Sequence, residues 1–292
     1  MRFLCFLVLS LIVLSGALTA QAPSSGYVPV GPDKLYYEVA GQGPVIVCIH
    51  DDNLHREVYD DQFAFFSKNY KVIRYDRRGY GRSTAGTVPY TNLDDLNALF
   101  TELRIDKACL MGMSMGGRLA VDFALRYPEK VTSLVLIGAV VGGLPYTSHM
   151  TDRGGRQPQF DTTDPVKYLA QARLYYVTED PYTIYSENAA AKEKAKRLVL
   201  DNPRHPGVSR NEPQETVPAC KRLGEIKVPT LILVGEFDIP DVHAHAGALN
   251  AGIPGSRRDI IRHAAHLAPL EQPEAFNKVV ADFLAGVKEA LK

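Results

Sequence analysis

The apolar positions of this chain fall into two alternating rhythms. Short runs with few polar interruptions occur at 45–49, 71–75, 108–111, 131–137 and 229–235. They have the length, and mostly lack the in-out alternation, expected of strands buried on both faces. Between them stand stretches with an apolar residue every three or four positions, as expected of amphipathic helices. One covers 59–68 around Phe63 and Phe66. A second covers 92–103 and sets Leu93, Leu96, Leu99, Phe100 and Leu103 on one face. A third, 115–127, is stopped by Pro128. Strands that alternate with helices predict an α/β fold, with a mostly parallel central sheet flanked by helices.

Two further strands, 27–30 and 34–40, precede this alternation. Gly31-Pro32-Asp33 joins them as a hairpin, and Gly41-Gln42-Gly43-Pro44 makes a second turn. Residues 21–26 read as a leader, disordered from Pro23 to Gly26. The rhythm breaks at 138–143. From 144 to 226 no strand pattern is convincing, whereas 164–177 and 187–200 read as helices, so 142–226 is expected to be a helical lid. The rhythm returns with the strand at 229–235, a helix near 241–250, a strand at 257–261 and a last helix from Pro273-Glu274. The core is thus expected in two parts, 27–141 and 227–292, on either side of the lid.

The N-terminus follows neither rhythm. Met1-Arg2, an apolar stretch over 3–14 and the small residues Ser15 to Ala20 make a secretory signal over 1–20. Its apolar part is short for a membrane span. The expectation is export, periplasmic or secreted, with no stable membrane insertion after cleavage.

Composition adds mainly exclusions. In 292 residues, 33 Lys and Arg balance 33 Asp and Glu, so no charge excess points to nucleic acid or another polyanion. Of the four cysteines, Cys5 lies in the signal, and Cys48 and Cys109 fall inside expected strands, where Cys acts as a small hydrophobe. No disulfide framework, metal site or cofactor is expected. Oligomeric state is not legible.

The candidate chemistry begins where the run at 108–111 ends. Gly112-Met113-Ser114-Met115-Gly116-Gly117 is G-x-S-x-G between a strand and a helix, the pattern of a nucleophile elbow. Side chains two before or two after the serine would collide in so sharp a turn. A serine nucleophile needs a base and an orienting carboxylate. In open α/β sheets such groups gather at the carboxyl ends of strands. After the strand at 229–235 stands Glu236-Phe237-Asp238, and after 257–261 stands Arg262-His263-Ala264-Ala265-His266. Asp238 is favoured over Glu236 and over Asp241, which suits a helix N-cap. His266 is favoured over His263 because its loop is long enough to swing the imidazole back over Ser114. His243 and His245, two apart, read as a surface pair rather than a metal site. His55, His149 and His205 carry no readable role. The N–H of Met115, just past the serine, is the first expected oxyanion donor, and the N–H of Asp52 in His50-Asp51-Asp52-Asn53 the second.

Together these residues resemble the α/β-hydrolase superfamily. The shared landmarks are the strand ending at His50, Asp76-Arg77-Arg78-Gly79-Tyr80-Gly81-Arg82-Ser83, the elbow, Gly235-Glu236-Phe237-Asp238, and His266 leading into Leu270-Glu271-Gln272-Pro273-Glu274. The details are similar to small esterase, enol-lactonase and perhydrolase-like members with a helical lid. The resemblance implies hydrolysis of a small-molecule ester or lactone through an acyl-enzyme. Perhydrolysis and C–C bond hydrolysis on the same triad are alternatives, as is a ligand-binding protein without turnover. Two positions depart from the family pattern. Asp51 stands where Gly is usual after the strand-end His, so two acids adjoin the expected oxyanion site unless they point away or pair with Arg56, Arg77 or Arg82. Met113 stands where His is common. The lid tyrosines Tyr168, Tyr175, Tyr176, Tyr182 and Tyr185 suit either a substrate wall or lid core.

Overall fold

The computed structural model describes residues 23–155, 158–185, 187–201 and 216–290. The expected signal over 1–20, residues 21 and 22 of the leader, and His205 lie outside the described residues. Eight strands form one sheet: β1 (Ser24–Val30), β2 (Asp33–Ala40), β3 (Val45–Ile49), β4 (Lys71–Tyr75), β5 (Ala108–Met113), β6 (Val131–Ile137), β7 (Thr230–Gly235) and β8 (Arg257–Ile261). Their spatial order is β1-β2-β4-β3-β5-β6-β7-β8. The β1–β2 and β2–β4 pairs are antiparallel and all others parallel.

The leader expectation is corrected at its inner end. Ser24, Ser25 and Gly26 belong to β1 and pair with Val39, Glu38 and Tyr37. Ser and Gly have poor strand propensity, but ladder bonds are made by the backbone, and the eight residues of β2 offer them a template.

The long helices are α1 (Asp60–Phe66), α2 (Asn92–Glu102), α3 (Met115–Arg126), α7 (Pro240–Gly252) and α9 (Pro273–Ala290), with the short α8 (Ala268–Glu271) before the last. Alternate strand residues sort to opposite faces of the sheet, as a two-residue side-chain period requires. Val47 and Ile49 of β3 pack with Leu96 and Phe123 of α2 and α3, whereas Ile46 and Cys48 pack with Phe63 and Phe276 of α1 and α9. Both faces are therefore covered, which is why β3 and β5 read as apolar runs.

Between β6 and β7 the chain makes α4 (Ser148–Gly155), α5 (Pro165–Thr178) and α6 (Ala189–Asp201). Asp164 caps α5, its carboxylate accepting the Val166 and Lys167 N–H groups at 2.9 and 3.1 Å. The sequence pattern gave no sign of α4, whose mean hydropathy is low.

The stretch after β4 holds a buried ionic frame. Asp76, fully buried, accepts the Arg56 side chain at 2.8 Å and the Arg56 and Arg82 N–H groups at 3.1 and 2.9 Å. Arg78 joins Asp33, at 2.5 Å, to Asp95, at 2.6 and 2.9 Å, and so ties the start of β2 to α2.

Candidate active site

Ser114 sits between β5 and α3 with φ 54° and ψ −117°, and its N–H donates to the Ile137 carbonyl at 2.8 Å. A side chain at Gly112 would meet the Gly116 backbone, and one at Gly116 would meet the Ile49 and His50 carbonyls. This is the physical content of G-x-S-x-G: the strained turn requires bare backbone on both sides of the serine. Ser114 is half-buried, at the N-terminus of α3. Met115 opens that helix, so its N–H has no intrahelical acceptor.

Asp238 and His266 follow β7 and β8. His266 Nδ1 lies 2.8 Å from Asp238 Oδ1, which also accepts the Ile239 N–H at 2.7 Å. A carboxylate accepting at Nδ1 places the proton there and leaves Nε2 of the neutral ring as an acceptor. Both residues are buried. Burial opposes charging the imidazole, but Asp238, and beyond it Asp51, raise its pKa above the ordinary histidine value. Gly138 follows Ile137, and a Cβ built on it would stand 2.9 Å from Asp238 Oδ2 and 3.0 Å from His266 Nδ1. The end of β6 thus touches the serine on one side and the Asp238–His266 pair on the other.

The competing residues are placed elsewhere. Glu236 accepts the N–H of the exposed His263 at 3.0 Å, so these two bind each other. Asp241 lies inside the first turn of α7, not at its cap, and accepts the Thr147 N–H and hydroxyl at 2.6 and 3.0 Å. The surface reading of the His243–His245 pair is corrected for His245. It is buried, and its Nδ1 accepts the Val141 N–H at 3.0 Å. The apolar face of α7 includes this position, which a two-residue spacing does not reveal.

The acidic loop after β3 is organised from within. The buried His50 accepts the Arg77 N–H on Nε2 at 2.9 Å and donates from Nδ1 to the Asp51 carbonyl at 2.7 Å. Burial and the Arg77 charge hold its pKa well below the usual range, which keeps this tautomer neutral. Arg77 Nη2 also donates to the Asp51 carbonyl, at 2.7 Å, and pairs with the Asp52 carboxylate. C=O and N–H point opposite ways in a trans peptide, so this grip directs the Asp52 N–H away from Arg77 and His50. The Asp51 carboxylate, fully buried, turns into its own loop and accepts the Asn53 and Leu54 N–H groups at 2.9 and 3.1 Å. Asp52 therefore pairs with one of the three arginines considered for it, and Asp51 takes the local backbone instead. The roles of His50 and Gly138 escaped sequence reasoning, as did the grip of Arg77 on the Asp51 carbonyl; its pairing with an acid of this loop was among the expectations.

The insertion is joined to this loop and to the core. Arg173 Nε of α5 donates to the Asn53 carbonyl at 2.5 Å, and His55 Nε2 lies 3.2 Å from the Leu198 carbonyl of α6. Of the lid tyrosines, Tyr185 stacks on Phe237 with ring centroids 4.5 Å apart, and all five are half-buried.

Residues 44–273 match the family model described as alpha/beta hydrolase fold. The chain belongs to the α/β-hydrolase family. Its expected fold class is thereby established, and with it the standing of a hydrolase. The chain is 33% identical over 255 residues to a 2-hydroxy-6-oxononadienedioate/2-hydroxy-6-oxononatrienedioate hydrolase of Klebsiella pneumoniae, covering 76% of this chain and 82% of that protein. It is 30% identical over 285 residues to the Escherichia coli enzyme of the same name, covering 86% of this chain and 91% of that one. Among solved structures, the enol-lactonase of Burkholderia xenovorans superposes with a TM-score of 0.69 at 24% identity, covering 89% of this chain and all of that one. A thermophilic esterase from Thermogutta terrifontis gives 0.71 at 23%, covering 90% and 99%. At these identities the two structures bear on the fold alone.

Proposed function

We propose that this α/β hydrolase is a serine hydrolase that cleaves a carboxylic ester or lactone through an acyl-enzyme. The observation that carries the reading is the Asp238–His266 hydrogen bond of 2.8 Å, packed against Gly138, while the adjoining Ile137 carbonyl accepts the N–H of a strained, half-buried Ser114 at a helix N-terminus. His266 Nε2 takes the hydroxyl proton as Ser114 Oγ attacks the acyl carbon. Asp238 holds the ring and stabilises the imidazolium. The N–H groups of Met115 and Asp52 hold the tetrahedral oxyanion. His266 then gives its proton to the leaving alkoxide, and the alcohol departs. In the second half it takes a proton from water, which attacks the acyl-enzyme, and returns that proton to Ser114 as the acid leaves.

The test is fluorophosphonate labelling of the purified protein, followed by a panel of short-acyl esters and lactones. Ser114 is expected to be labelled, and Ser114→Ala to lose both label and turnover, with kcat down on the order of 10⁵–10⁶-fold. A folded sample unlabelled at Ser114 ends the proposal. Labelling without turnover favours a binding role.

A second reading, C–C bond hydrolysis of an acidic substrate, is favoured by the two relatives at 33% and 30% identity, which are named for that chemistry. A cleft of about 1040 Å³ runs from Met115 along α3, lined among the described residues by Arg77, Arg118, Arg126, Arg222 and one acid, Asp122, with Arg77, Arg118 and Arg222 paired to Asp52, Asp122 and Glu225. Turnover of a vinylogous 1,5-diketo acid, with no turnover across the ester panel, selects this reading. The residues at 1–20 support work outside the cytoplasm, which signal processing in an expressing host would check.

A further inference from the structure

The loop that carries His266 is held by the insertion as well as by the core. The His266 and Leu267 N–H groups donate to the Tyr182 and Thr183 carbonyls, each at 3.1 Å. Glu271, in α8, lies across the same junction. Its Oε1 accepts the Ala265 N–H at 2.9 Å and its Oε2 accepts the Tyr185 N–H at 2.6 Å. Its carbonyl accepts Asn188 Nδ2 at 2.8 Å, and Asn188 Oδ1 accepts the Ala191 N–H at 3.0 Å in the first turn of α6. Glu271 is only 4% exposed, and no arginine or lysine pairs with it among the described residues.

A carboxylate buried without a cation carries a desolvation cost of several kcal/mol. Hydrogen bonds from backbone N–H groups offset part of it. The chemistry of the junction explains why a carboxylate stands there. Two N–H donors from different segments converge on one side chain, and both of its oxygens can accept. Glutamine, equal in shape, would turn an NH₂ against one of the donors.

We propose that Glu271 is a positioning residue for His266, clamping the residue before it to the insertion so that the imidazole is held in line with Asp238 and Ser114. Ala265 is fixed by Glu271 and His266 by Tyr182, so the backbone on both sides of the His266 side chain is tied to 182–185. The insertion is then part of the catalytic frame. The kinetic side of this inference rests on the serine-hydrolase reading, but the geometric side does not.

The test uses the full chain carrying Glu271→Gln at about pH 8.5, above the pKa of about 7 to which burial raises Glu271, so that the wild type carries the carboxylate. The proton on His266 Nδ1, bonded to Asp238, gives a far-downfield proton NMR line without any substrate. The line is expected in the wild type, and to be lost or moved upfield in Glu271→Gln. An unchanged line overturns the clamp whether or not any ester is turned over. With a turned-over substrate, kcat is expected to fall about 10–100-fold, the scale of a catalytic group displaced by about 1 Å, with KM within about twofold. Phosphonate labelling of Ser114 should slow in parallel. In a His266→Ala background Glu271→Gln should cost no more than a further factor of about two, because its effect passes through the imidazole. A full additive loss there, or a wild-type kcat in the single variant, overturns the proposal. Should Glu271→Gln not fold, Glu271→Asp decides by the same readouts. It keeps the charge but reaches only one donor, so an intermediate loss supports the clamp and wild-type behaviour overturns it.

Discussion

Gly138 and His266 are packed so closely that a Cβ on the glycine would stand 3.0 Å from the imidazole Nδ1, and the glycine's φ is +49°. Gly138→Ala therefore meets two penalties, left-handed backbone of about 1–2 kcal/mol and a methyl group against the Asp238–His266 bond. The expected outcome is a kcat lower by at least about tenfold with a modest loss of melting temperature. Steady-state kinetics at matched folded fraction, read beside a thermal melt, checks it.

On the proposed serine-hydrolase mechanism, Asp51 is expected to set part of the working pH range. A base must be neutral to accept the serine proton, so activity falls as pH drops through the pKa of His266, which lies above the ordinary imidazole value. Asp51 contributes to that rise. Asp51→Asn removes its charge, so the acidic limb of kcat/KM is expected to move to lower pH. A limb that stays in place, or moves up, counts against the contact.

Glu271 should leave a mark on stability. Burial raises its pKa from 4.5 to about 7. Between those values the folded chain holds a proton that the unfolded chain has released. Stability contributed at this site is then present at low pH and lost as pH climbs through the window, by roughly 3 kcal/mol. Urea unfolding at pH 4.5 and pH 8 is expected to show the wild type losing ground to Glu271→Gln by that order.

Arg78 is a matter of fold rather than chemistry. Arg78→Met leaves the buried Asp33 and Asp95 without their shared cation, a loss of about 3–5 kcal/mol. The folded fraction should keep its kcat. Denaturant midpoints and active-site titration separate the two effects.

The sheet was legible because it is covered on both faces. β4, β6 and β7 fall where the apolar runs do, and α3 stops at Arg126, before Pro128, whereas β8, the mostly exposed edge strand Arg257–Ile261, has no such run. Of the insertion, α5 and α6 were legible as helices, whereas α4, low in hydropathy with Met150 as its one apolar residue, was not. At the site, the serine turn shows in sequence because sterics leave glycine as the residue on either side of Ser114. Asp238 and His266 show because a strand end limits the candidates. What the sequence hid was made of partners far apart in the chain. Arg77 grips a carbonyl 26 residues away, and Glu271 reaches Tyr185 from 86. Asp51 looked like a threat to an oxyanion. Its bonds run to Asn53 and Leu54, an arrangement that needs the loop's conformation and not merely its composition.

The antiparallel start of the sheet has a practical consequence for anything joined ahead of Pro23. β1 runs parallel to β4 across β2, so Ser24 enters at the amino ends of the parallel strands, while Ser114, Asp238 and His266 stand past carboxyl ends. β1 is also the outer strand, four places from β5, or about 19 Å at the usual strand spacing. A tether, affinity handle or surface linkage attached there is distant from the catalytic mouth both across and along the sheet. Immobilising the protein by that end is expected to leave kcat/KM as it is in free solution.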